Sequence, residues 1–157
     1  MVQSTGIKKI KCAVFISGTG SNLKSLIQFS KKKNSLISIE LIISDNPKAK
    51  GLKFGKIFKI SNKVFNYKNR IIAEKKIISE ITNKKIKLIC LAGFMRILSK
   101  NFIKRFKGKI LNIHPSLLPK YKGLNTHQRA ISNNEKYSGC TVHFVNSRLD
   151  SGKIILQ

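Results

Sequence analysis

The chain has 157 residues, 41% of them hydrophobic, which suits one domain with a buried core and excludes a disordered chain. Lys, Asn or Ser interrupts every apolar run before it reaches membrane-spanning length, and the short polar segment 1–11 does not fit a secretory signal, so a soluble, cytoplasmic protein is expected. The net charge of +26 invites a polyanion partner, but its 27 Lys are spread along the chain and accompany abundant Ile and Asn, the pattern of an AT-rich codon bias; a solvated surface is expected, with neither nucleic acid nor membrane as partner.

The elements alternate between strand-like and helix-like patterns, which predicts an α/β fold. Residues 10–16 (IKCAVFI) are a compact apolar run and predict a buried parallel strand. Helical spacing follows over 21–33, with Leu23, Leu26, Ile27 and Ser30 inward and Ser21 as the N-cap. A second strand is predicted at 37–43, closed by Asp45, Asn46 and Pro47. Residues 51–67 accommodate a short helix and a third strand. A stronger helix is predicted at 69–83, where Ile71, Ile72, Ile77, Ile78 and Ile81 form two adjacent apolar rows. Strands are predicted at 86–91, 109–113 and 139–145, and helices at 99–106, capped by Ser99, and near 125–133. Cys12, Cys90 and Cys140 each lie in an apolar, strand-like run without CxxC spacing, so buried small hydrophobes are expected, with no disulfide framework and no metal site.

In open α/β sheets, ligands bind at the carboxyl ends of the strands, which singles out three loops. The first, Ser17-Gly18-Thr19-Gly20-Ser21-Asn22, can turn backbone amides toward a phosphate at a helix N-terminus, or can be a tight structural turn. It lacks the third Gly of a dinucleotide fingerprint and the Lys of a P-loop. The second runs from Leu91 to Leu98 and places Arg96 between large hydrophobes; it fits a slot for a flat aromatic ligand or ordinary core packing. The third, Asn112-Ile113-His114-Pro115 continuing to Gly123, sets Asn112 and His114 on the same side of a strand end. An amide donor beside an imidazole suits acyl transfer, in which an oxyanion is stabilised and a proton leaves an amine. Of the six carboxylates, Asp150 lies in a further strand-end loop and is the candidate partner for the imidazole.

Taken together, SGTGSN, LAGFMRILS, NIHPSLLPKYKG, THQRA, GCTVHFV and LDSG resemble, in order from about residue 8 to Gln157, the glycinamide ribonucleotide (GAR) transformylase family of folate-dependent formyltransferases. The resemblance implies a Rossmann-like formyltransferase fold with a mostly parallel central sheet and helices on both faces. It implies direct transfer of a formyl group from 10-formyltetrahydrofolate, as cosubstrate, to the amine of GAR in purine (IMP) biosynthesis, without a metal. By the same resemblance Asn112, His114 and Asp150 are catalytic, and Gly20, Ser21 and Asn22 hold the GAR phosphate. Arg70, Met95, Arg96, Ile97, Leu98 and Asn112 contact the folate, and His143 falls at a family histidine near the site. Thr19 stands where the family commonly has Asn, and Asn125 where some relatives have His.

The family continues beyond the point corresponding to Gln157, so residues 1–157 are expected to be a single formyltransferase domain lacking C-terminal elements. The apolar segment Ile154-Ile155-Leu156 is then an uncovered edge through which self-association is expected. Alternatives are another folate formyltransferase or hydrolase, such as the methionyl-tRNA formyltransferase type, or an inactive remnant with a polyanion-binding surface.

Overall fold

A computed structural model describes residues 8–157. The chain runs β1 (Ile10–Ile16), α1 (Ser21–Ser30), β2 (Ile37–Ser44), a 3-10 turn (Lys50–Leu52), α2 (Lys53–Phe58) and β3 (Ser61–Val64). It continues through α3 (Arg70–Asn83), β4 (Leu88–Leu91), α4 (Lys100–Arg105), β5 (Lys109–His114), α5 (Thr126–Ser132), β6 (Thr141–Phe144) and β7 (Ile154–Leu156). The strands make one sheet in the order β3-β2-β1-β4-β5-β6-β7. The pairings from β3 to β5 are parallel, and β6 and β7 are added antiparallel. The α/β architecture expected from the alternating pattern, with the mostly parallel sheet that the family resemblance implies, is the one observed.

β1 lies at the centre, and Cys12 to Ile16 are fully buried, because helices cover both faces of the sheet there. The period-2 alternation sends Ala13 and Phe15 into one core layer with Ile43, Ile77, Ile81 and Phe102. Val14 and Ile16 enter the opposite layer with Leu23, Ile27, Ile42 and Phe54. The sheet edges differ from this centre: every residue of β3 and of β7 is exposed.

Several local expectations change. α1 ends at Ser30 instead of running on to residue 33, and its N-cap is Gly20 in the left-handed conformation (φ 77°), with Ser21 as the first helical residue. A glycine is required there because a Cβ on Gly20 would stand 2.7 Å from the Cα of Gly51. In α3 the buried row is Ala73, Ile77 and Ile81, joined by Glu74, whereas Ile71 and Ile72 in the first turn are exposed. The row on the sheet follows the i, i+4 spacing through a small Ala, which an apolarity count passes over. Ser99 caps α4 by accepting from the Phe102 amide, as predicted, and Asn69 is the cap of α3, accepting from the Ile72 amide, instead of its first helical residue. Cys12 and Cys90 are buried, but Cys140 precedes β6 and is exposed. Among the described residues no helix is long and apolar enough to cross a membrane.

Candidate active site

The carboxyl ends of β4 and β5 diverge into two loops, and between them and the segment after β6 opens a cleft of about 660 Å³. Phe94 to Leu98 form one wall, Asn112, His114, His143 and Asp150 the floor, and Asn146 to Leu149 the far side. A cleft of this size lies within the range of small-molecule sites. Met95 and Ile97 offer exposed apolar side chains to it, while Leu98 is buried behind them.

The floor is built from buried polar groups that satisfy one another. Asn112 and His114 alternate with Ile113 along β5 and therefore share a face. The antiparallel partner β6 places His143 opposite Asn112. His143 Nδ1 lies 2.8 Å from the Phe144 carbonyl, an acceptor, so that nitrogen carries the ring hydrogen. Nε2 is left to accept from the Asn112 amide nitrogen at 3.2 Å. This orients the Asn112 amide and leaves its second N–H free for a ligand.

His114 is held from both sides. Its Nε2 stands 2.9 Å from the Tyr121 carbonyl, and its Nδ1 3.4 Å from Asp150 Oδ2. Asp150 has a side chain only 9% exposed; its Oδ2 also accepts the Gly123 amide hydrogen at 2.9 Å, and its Oδ1 lies 3.7 Å from His143 Nε2. One carboxylate thus lies between two imidazoles and a backbone amide. Tyr121 (φ 54°) and Asp150 (φ 42°), which hold the ring, are both in the left-handed region that non-glycine residues seldom occupy. Gly152 lets the chain return beneath β6, since a Cβ there would lie 1.7 Å from the Phe144 carbonyl oxygen.

A family model described as formyl transferase matches residues 10–157, nearly the whole chain. The chain belongs to the formyl transferase family. It is 46% identical over 153 residues to the human trifunctional purine biosynthetic protein adenosine-3, covering 96% of this chain and 15% of that protein. It is 45% identical over 150 residues to the phosphoribosylglycinamide formyltransferase of Haemophilus influenzae, covering 94% of this chain and 71% of that one. A solved phosphoribosylglycinamide formyltransferase from Brucella melitensis superimposes with a TM-score of 0.87 at 41% identity, covering 94% of this chain and 77% of that one.

Within this family member the residues singled out from sequence separate into three places. Asn112, His114, Asp150 and His143 converge on the cleft floor, and Met95, Arg96, Ile97 and Leu98 line its wall. Arg70 stands at the start of α3 and borders a second hollow of about 230 Å³ with Glu74, Ser99 and Arg105. Gly20, Ser21 and Asn22 lie at the start of α1, outside the lining of either cavity, with Ser21 and Asn22 exposed. They are tied to the cleft wall through the head of the same loop: the Ser17 amide donates to the Gly93 carbonyl at 2.9 Å.

Sequence reasoning missed the contributions of Tyr121, Ser17, Asp45 and Glu74. Tyr121 acts through its carbonyl, which leaves no trace in side-chain chemistry. Asp45 met the criterion that selected Asp150, a rare acid just past a strand end, and was passed over. Among the described residues no group of three or more His, Cys, Asp or Glu is placed to hold a metal ion.

Proposed function

We propose that this chain transfers the formyl group of 10-formyltetrahydrofolate to the amine of GAR, a step of purine biosynthesis. The observation that carries this reading is the convergence of Asp150 with Asn112 and His114, 38 and 36 residues before it, on the floor of one cleft with a mostly apolar wall. The names of the relatives support it, as purine-biosynthetic and GAR formyltransferase proteins.

In this reading the flat ring system of the folate lies along Met95 to Leu98, and its formyl carbon faces the floor. The GAR amine nitrogen attacks that carbon, forming the new C–N bond and a tetrahedral oxyanion. The free N–H of Asn112 and the His114 ring stabilise the oxyanion. The amine proton moves through His114 Nδ1, the ring nitrogen not engaged by the Tyr121 carbonyl, to N10 of the donor as the C–N10 bond breaks, releasing formylated GAR and tetrahydrofolate. Asp150 orients the imidazole and balances its positive charge during the step. Gly20, Ser21 and Asn22 offer amides at the start of α1 to the GAR phosphate, and Arg70 offers a cation to the folate's anionic end.

The test is a spectroscopic formyl-transfer assay with GAR and 10-formyl-dideazafolate, run beside His114→Ala. Turnover that disappears in the variant is the expected result. Absence of turnover together with absence of folate-analogue binding in the parent chain would overturn the proposal.

A further inference from the structure

The wall of the cleft, residues 93–98, lies between β4 and α4 and has no helical or strand hydrogen bonding of its own. Such a segment keeps one shape only if other groups hold it. Its polar anchors come from two buried carboxylates. At its head, Asp45 just past β2 has a side chain only 4% exposed. Asp45 Oδ1 accepts from the Ser17 hydroxyl at 2.5 Å, and Ser17 Oγ in turn accepts the Met95 amide hydrogen at 2.8 Å. Asp45 Oδ2 accepts from Arg96 Nε at 2.6 Å. Asn46 completes the junction by donating its side-chain amide to the Ser17 carbonyl at 3.2 Å. At its foot, Glu74 on α3 accepts from the Ser99 amide at 2.8 Å and from the Ser99 hydroxyl.

The chain has six Asp and Glu side chains in all, so burying two of them against the single loop 92–99 is a concentrated use of a scarce group. Asp45 is the more informative, because both its oxygens act on the wall and neither faces the cleft. Through Ser17 it fixes the Met95 backbone, and it holds the Arg96 guanidinium at Nε. Charge-assisted bonds of this kind are short and directional, and losing one partner leaves a buried group unpaired.

We infer that Asp45 is a positioning residue, which holds residues 93–98 as a preformed wall and thereby sets the affinity of the cleft for the flat ring of the formyl donor. This rests on the functional reading above. With Asp45 in place the donor meets a wall already ordered; without it, binding must order the wall first and affinity falls accordingly.

The experiment compares the parent chain with Asp45→Ala, Asp45→Asn and Ser17→Ala. Three quantities are read: the Kd for 10-formyl-dideazafolate, KM for GAR, and hydrogen exchange at the Met95 amide, with thermal unfolding followed alongside. The expected result is roughly 10- to 100-fold weaker analogue binding in Asp45→Ala, faster Met95 exchange, and KM for GAR within a few-fold of the parent. Asp45→Asn retains an acceptor for Ser17 and is expected to fall between. If Asp45→Ala fails to fold, Asp45→Asn and Ser17→Ala, which change few atoms, decide the matter by the same readouts. A purely structural role lowers the melting temperature but leaves the Kd of the folded variant unchanged, and that result overturns the inference. A parent chain that binds no analogue overturns the functional reading and this inference together, whereas a parent that binds while folded Asp45→Ala binds equally well overturns this inference alone.

Discussion

The centre of the sheet and the floor of the cleft are both buried, yet they are made of opposite materials. Around β1 and β2 the interior is mostly apolar, so most of its residues are held by packing that any well-shaped hydrophobe supplies. Two strands away, His114, Thr141 and His143 are as deeply buried but each is bonded: Thr141, for instance, donates to the Ser116 carbonyl at 2.7 Å and accepts from the Leu118 amide at 3.0 Å. The first region supplies stability and tolerates change of identity; the second supplies positioned polar groups and tolerates almost none, because each removal strands a partner.

The largest expected loss is at His114. His114→Ala is expected to lower formyl transfer by about 10²- to 10⁴-fold, measured as kcat at saturating substrates, while circular dichroism shows a folded chain. Ile27→Ala, in the apolar layer, is expected to do the reverse: a loss of about 2–5 kcal/mol of unfolding free energy in urea, with analogue affinity of the folded fraction retained. Gly152→Ala sits where the regions meet. The added Cβ has a backbone oxygen 1.7 Å away, so the loop carrying Asp150 must shift, and both stability, by about 1–3 kcal/mol, and turnover are expected to fall together. Ser99→Ala removes the α4 cap and one of the two donors to buried Glu74; about 1–2 kcal/mol of stability is expected to go. The smallest effect is chemical: burial pushes the Cys12 thiol up to about 12 and the Cys90 thiol up to about 11. Both therefore stay protonated and unreactive at pH 8, and a thiol reagent on the native chain is expected to titrate exposed Cys140, with the other two appearing only in denaturant.

Legibility from sequence followed the distance over which each feature is determined. Asn112 and His114 were readable as a pair because two residues on one strand share a face by local geometry alone. Ser99 was readable as a cap because its partner, the Phe102 amide, lies three residues on. The boundaries of β1 were readable because its apolar run ends abruptly at a glycine-bearing loop. Asp45 with Ser17 and Arg96, by contrast, joins groups 28 and 51 residues apart, and Glu74 with Ser99 joins groups 25 apart. Composition marked these acids as scarce without saying what they meet. Ile71 and Ile72 misled for a related reason: helical periodicity identifies apolar positions, but which of them reaches the sheet depends on where the helix is docked.

Short-range periodicity and residue type were enough to define the α/β alternation, the family motifs and the polar residues that stand at strand ends. The tertiary structure alone decided that β6 and β7 run antiparallel to β5, that Asp150 lies between His114 and His143, and that Asp45 and Glu74 hold the cleft wall. Those facts depend on strand order and on the pairing of distant backbone segments, which local propensity does not encode.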